Sequence, residues 1–309
     1  MAPARIYGIL APKAKRVVLF RRGPSQHTLQ LLWDLETDKV TPGQWIKGKV
    51  FVERSDVSPD GRYLIAAISN YRESRHHAED LNFWTAISRP PYFTAIAMWG
   101  SAGCYLGGGM WESNRKVRLN NDPHAWEETL AVQHPVEADL FNEEVVEPFK
   151  MAKNLVNIEQ TLLEKRGWIR SDLFDPTIKE KIKELEVSYD EVIAAYGLNF
   201  ADIEKAAARW LVSPTYRKIF KLGEGQLAVK GKRRHWQFFD QEGSFVKEWI
   251  TPSDQPFWLE VDHNGWPIFS DKGCLYRWTN FPNGEPTLVA DLNHYTFEPV
   301  APPAWATKW

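Results

Sequence analysis

The sequence predicts a mainly β protein that carries one helical insert, and three observations carry that prediction. Short apolar runs bounded by turn residues fill 1–122 and 213–309. Residues 123–212 lose that punctuation and take up helical spacing instead. Third, Ser58-Pro59-Asp60-Gly61 leads straight into Arg62-Tyr63-Leu64-Ile65-Ala66-Ala67-Ile68. Proline presets the turn, aspartate bonds its own backbone, and glycine accepts a positive φ. The apolar run behind the turn then reads as a buried strand.

The first zone opens on Ile6–Leu10. Arg16–Phe20 and Leu29–Trp33 follow as β-rich runs split by Gly23-Pro24-Ser25, and Asp34–Asp38 turns the chain. Val50–Val52 precedes the Ser-Pro-Asp-Gly turn. Phe83–Ile87 and Phe93–Trp99 flank Pro90-Pro91, a pair that belongs in a connection or at an edge because it cannot donate to a ladder.

In the middle zone, Glu143–Ile158 is helix-like. Phe149, Leu155, Ile158, Leu162 and Leu163 approximate one face, and Pro148 sits near the start or kinks it. Further helices are expected at Pro176–Leu185, Asp190–Tyr196 and Phe200–Leu211. Gly197 stops one of them and Asn199 caps the next. This insert carries a net charge of −8, against +6 for residues 1–122. Such an arm either packs on the body, meets a basic partner or is simply a solvated helical surface.

The last zone returns to strands at Leu227–Val229, Trp236–Phe239, Ser244–Trp249, Phe257–Val261 and Thr287–Asp291. Its turns, Asp240–Gly243 and Asp262–Gly265, echo Asp60-Gly61, and Asp38 is a weaker echo. The Ser-Pro-Asp-Gly turn with these echoes resembles the blade turns of β-propellers of the WD-repeat and TolB types. The full Gly-His to Trp-Asp signature is missing. The resemblance implies a split propeller-like body of about five blades, at ~40–45 residues per blade. It comprises 1–122 and 213–309, interrupted by the acidic helical insert 123–212. Ile6–Leu10 and Thr287–Asp291 are the expected partners for its closure. The alternative is two β domains joined by a helical segment.

Composition limits the function classes. A net charge of −2 argues against a generally basic nucleic-acid binder. Cys104 and Cys274 are too few for a disulfide framework and lack zinc-site spacing, as expected of a cytoplasmic chain with reduced thiols. No stretch approaches a membrane span, and the N-terminus lacks the apolar core of a signal peptide. The 15 tryptophans serve as core aromatics or as platforms for sugars and partner side chains.

Local clusters give little chemistry. Arg72–Asp80 holds two histidines, two glutamates and an aspartate, but adjacent histidines diverge, so a polar surface loop is the reading, with a metal or general acid/base site as the alternative. Gly107-Gly108-Gly109 is followed by Met110-Trp111 rather than by Lys-Ser or Lys-Thr. It therefore reads as a bulge or crowded hairpin, with a phosphate cradle the weaker reading. Lys230–Trp236 is the densest basic run and reads as a charged hairpin turn, with weak nucleic-acid contact as the other reading. Tyr189–Trp210 has the size of a helix-turn-helix, but acidic residues open its second helix and would repel phosphate. Asp56, Asp60, Glu79, Glu112, Asp262 and Asp271 are available carboxylates, with nothing to single out a catalytic pair.

The expectation is a protein-protein interaction module, an adaptor or regulatory subunit, with a protein partner and no cofactor, metal or catalytic residue. Trp111, Arg233, Arg234, Trp236, Trp266 and Trp305 are the candidate anchors. A glycan-binding protein or glycoside-acting enzyme with a central pocket is the alternative. The segment Thr296–Trp305 mixes proline with aromatics. It reads either as a polyproline-type ligand or as a tail packed on the last blade through Phe297 and Trp305.

Overall fold

The computed structural model describes residues 3–23, 26–70, 82–100, 106–121, 136–140, 158–170, 216–222, 225–232, 235–239, 244–250, 258–281 and 283–309. The protein is mainly β. It divides into two compact units, residues 1–163 with 257–309 and residues 164–256.

Strands β1 (Arg5–Leu10), β2 (Arg16–Arg22), β3 (His27–Asp34) and β4 (Val40–Lys47) form sheet 1. β5 (Lys49–Val57), β6 (Leu64–Ser69), β7 (Phe83–Ser88) and β8 (Ala95–Gly100) form sheet 2. Both are antiparallel meanders in chain order. Sheet 3 holds β9 (Gly109–Trp111), β10 (Lys116–Leu119) and β11 (Glu137–Leu140), the last running parallel to β10. The helix α1 (Ile158–Lys165) buries Ile158 and Leu162. The second unit contributes sheet 4: β12 (Ile169–Arg170), β13 (Tyr216–Leu222), β14 (Gly225–Lys232), β15 (His235–Phe239) and β16 (Phe245–Ile250). Sheet 5 is β17 (Trp258–Val261), β18 (Pro267–Asp271), β19 (Cys274–Arg277) and β20 (Thr287–Asp291), again an antiparallel meander.

The side-chain period of two explains how the larger unit is layered. In β2, Val17 and Leu19 enter the core shared with Ile268 and Leu275 of sheet 5, while Val18 and Phe20 enter the core shared with Leu64 and Ala66 of sheet 2. In β6 and β7, Ala66, Ile68 and Ala86 face sheet 1, while Ile65 and Ile87 join Trp111, Val117 and Leu119 of sheet 3. Strands covered on both faces need continuous apolar runs, which is what these segments have.

Two sequence expectations need correction. Ile6–Leu10 and Thr287–Asp291 were expected to pair, yet among the described residues β1 pairs only with β2 and β20 only with β19. Sheets 1 and 5 meet face to face instead. Ser270 Oγ donates to Ile6 C=O (3.0 Å), and the Ala4 N–H donates to Asn293 Oδ1 (2.9 Å). A Cβ on Gly8 would lie 2.4 Å from the Trp258 indole, so only glycine admits that approach. Residues 137–140 and 169–170, inside the segment read as helical, are strands. The remaining helices expected at 143–157 and 176–211, the 72–80 cluster and the 240–243 turn lie outside the described residues. Among the described residues no helix is long and apolar enough to cross a membrane.

The Ser-Pro-Asp-Gly turn forms as its chemistry dictates. Ser58 Oγ donates to Asp60 Oδ1 (2.7 Å), which also accepts the Arg62 N–H, and Gly61 sits at φ 71°. Asp60 N–H in turn donates to Asn114 Oδ1 in the β9–β10 hairpin. The Asp262–Gly265 turn repeats the plan, with Asp262 Oδ1 accepting from the Asn264 and Trp266 N–H groups and Gly265 at φ 83°.

One core residue breaks the pattern. Gln30 on β3 is fully buried, and neither atom of its amide has a partner among the described residues. Gln30→Met keeps the length of the side chain and removes the amide. It is expected to stabilise the chain by about 1–3 kcal/mol, the cost of an unsatisfied buried polar group. A urea midpoint that falls instead of rising would contradict this.

Candidate functional site

The feature that stands out is the segment 292–309, which leaves β20 and crosses sheets 1 and 2 of its own unit as a strap. Three of the five exposed large apolar side chains among the described residues lie on nine consecutive positions of it: Phe297 (52%), Val300 (41%) and Trp305 (48%). The strap is fastened at discrete points. Arg21 donates from Nε to the Leu292 carbonyl (3.1 Å) and from Nη2 to Asn293 (3.2 Å). Burial pulls the Arg21 guanidinium below its ordinary pKa. Phe297 packs on His27 (4.3 Å between centroids) and edge-on to Trp45 (6.0 Å).

Gln44 of β4 is the hinge pin of the seat. Its Oε1 accepts the N–H groups of Phe93 (2.9 Å) and Thr94 (3.0 Å) and the Thr94 hydroxyl (3.0 Å). Three donors on one oxygen fix the amide, so Nε2 must face outward, where it donates to the Val300 carbonyl (3.0 Å). The backbone is equally committed: Gln44 N–H donates to Pro91 C=O (3.0 Å), and a Cβ on neighbouring Gly43 would lie 1.8 Å from that oxygen.

At the far end Arg89 donates through Nη1 to the carbonyls of Trp305 (2.8 Å) and Lys308 (3.2 Å). Its guanidinium lies over the rings of Trp305 (5.2 Å) and Tyr63 (5.8 Å). Tyr92 meets Trp305 edge-on at 5.4 Å, and Trp309 packs on Tyr63 at 5.4 Å. Leu292 and Ala306 are fully buried and peg the two ends of the exposed stretch.

The sequence candidates divide sharply. Trp305 belongs to this site. Trp111 does not: it is fully buried against Tyr63, so it is a core side chain and no surface anchor, and its backbone N–H donates to Asp56 Oδ2 (2.9 Å). Trp266 is half-buried, 5.7 Å from the Arg277 guanidinium, and among the described residues it makes no observed ring contact with the strap. Trp236 lies in β15 opposite Trp249 in the second unit. Arg233 and Arg234 lie outside the described residues. Of the two readings of the tail, a polyproline-type ligand or a segment packed on the last blade, the second needs correction, because its aromatics seat on sheets 1 and 2. His27, Gln44, Trp45, Arg89 and Tyr92 were missed, and only the aromatic character of three of them offered a signal.

Other clusters are chemically quiet. A shallow cleft of about 420 Å³ is lined by Lys15, Arg16, Asp34, Glu36, Asp60 and Arg62. Its charges balance, and Lys15 pairs with Glu36 at 3.1 Å. The Cys274 thiol is pushed up by burial and by Asp291, which suppresses the reactive thiolate. Among the described residues no three metal-ligating side chains converge. The chain matches no family model and no curated protein.

Proposed function

We propose that this chain is a protein-protein interaction module, an adaptor or regulatory subunit on a β-propeller-like scaffold, and that the strap and its seat are its interface. The observation that carries the reading is the row of solvent-facing Phe297, Val300 and Trp305 on a segment anchored by side-chain donors. Exposed aromatics beside arginine are the usual anchors of protein interfaces. Within the larger unit, the four-stranded meander of sheet 1 packed between sheets 5 and 2 supports the propeller-like scaffold.

A photoreactive benzoylphenylalanine tests the interface. Placed at Tyr92 or Val300 in the full chain and irradiated in native lysate, it is expected to give a defined protein adduct. The yield should be at least about fivefold above that from the same probe at exposed Glu36 in the charge-balanced cleft. Equal yields at all three positions would remove this interface.

A further inference from the structure

We infer that the seat beneath the strap is a binding groove for extended, proline- and aromatic-rich peptide segments, and that the chain's own residues 297–305 hold it in the closed state. The inference rests on the interaction reading above and names the class of partner.

The strap's conformation follows from its sequence. Pro299, Pro302 and Pro303 each lock φ, and Glu298, Ala301 and Pro302, each preceding a proline, are steered away from the helical region. Pro303 has φ −67° and ψ 156°, the values of a polyproline II residue. A polyproline II segment makes no internal hydrogen bonds, so its carbonyls must find donors elsewhere. Here Gln44 Nε2 serves Val300. Beyond Pro303 the strap closes in a 3-10 turn, Ala304–Thr307, where Arg89 Nη1 serves Trp305. His27 and Trp45 at one end and Tyr92 at the other supply aromatic walls. Aromatic walls with side-chain donors aimed at main-chain carbonyls form the chemistry that reads polyproline II segments.

Nothing in that recognition requires the peptide to come from the same chain. The seat contacts the Phe297 ring, the Val300 carbonyl and the ring and carbonyl of Trp305, along a strap that is extended at Pro303 and ends in the 304–307 turn. The strap is also the kind of segment that opens locally. Its three large side chains stay about half exposed, and its fastening hydrogen bonds are at the surface. With Leu292 and Ala306 buried at the two ends, the stretch between them can lift as a loop while the sheets stay folded. A tethered ligand competes at high effective concentration, so a peptide in trans meets an affinity reduced by the closed fraction.

The test uses the full chain and a fluorescent peptide with the sequence of residues 296–306. In the strap variant Phe297→Ser/Trp305→Ser, the peptide is expected to bind at least about tenfold more tightly than in wild type. Adding Gln44→Glu to that variant keeps the acceptor for Phe93 and Thr94 but removes the donor. It is expected to weaken the peptide about tenfold with an unchanged melting temperature. A peptide with its three prolines replaced by alanine is expected to bind more weakly than the parent. Failure of the parent peptide to bind the strap variant, indifference to Gln44→Glu, or equal binding of the alanine peptide would each overturn the groove. A groove that fails while Tyr92 still gives its adduct leaves the interaction reading standing. Peptide binding without any adduct removes that reading and not the groove.

Discussion

Arg277→Met is expected to destabilise the larger unit around sheet 5 by about 3–5 kcal/mol, the cost of removing one partner from a buried ion pair. Arg277 Nη1 lies 2.6 Å from Asp38 Oδ2, Nε lies 3.3 Å from Asp262 Oδ2, and Nη2 donates to the Leu35 carbonyl (3.0 Å). The side chains of Arg277 and Asp262 are 7% and 1% exposed, so water cannot replace the lost cation at Asp262. The guanidinium also lies over the Trp33 ring (5.5 Å), which loses packing as well as charge. Adding Asp262→Asn removes the stranded anion and keeps an oxygen for the Asn264 and Trp266 N–H groups. The double variant is therefore expected to be more stable than Arg277→Met alone. Because the chain has two compact units, the readout is hydrogen exchange of peptides covering β3 and β19. Unchanged protection in Arg277→Met would show that the pair contributes nothing.

Gly108→Ala is expected to cost at least about 3 kcal/mol, the sum of backbone strain and overpacking. Its Cβ would lie 1.9 Å from the Arg54 carbonyl oxygen at φ 84°. The backbone cannot move aside, because Gly108 N–H donates to Thr85 Oγ1 (2.8 Å) and its carbonyl accepts the Asn120 N–H (2.9 Å). Gly107→Ala is the control. At φ 101° it is strained too, but its nearest neighbours stand at 3.5 and 3.6 Å. A cost of about 1–3 kcal/mol is expected there, from strain alone. Equal urea midpoints for the two variants would refute the close approach as the reason for glycine at 108.

These features were unequally legible in the sequence. The Ser58–Gly61 and Asp262–Gly265 turns could be read because their bonds join residues within five positions of each other. The glycine triplet was rightly read as a place of close approach, since its neighbours rule out the phosphate alternative. Phe297 and Trp305 were recognised as anchors, but not their seat. Gln44 meets Val300 across 256 positions, and no local pattern encodes that. Trp111 was taken for a surface anchor because strand alternation over Gly109–Trp111 is too short to assign a face. Asp38 looked like a weak turn echo. Its partner Arg277 is 239 positions away, and only the packing of sheet 5 on sheet 1 brings the two together.

The separation of β1 from β20 bears on how the chain is made. Sheets 1 and 2 are local meanders, complete with their shared core by residue 100. No strand of sheet 1 waits for a distant pairing partner. One of its faces does wait: Val17, Leu19, Leu29, Leu31 and Trp33 stay uncovered until Ile268, Leu275 and Leu292 emerge. At ~5–20 residues per second that interval is roughly 10–50 s on the ribosome. The early half of this protein is thus born with an adhesive flank, and it is there that a nascent-chain chaperone would have most to protect.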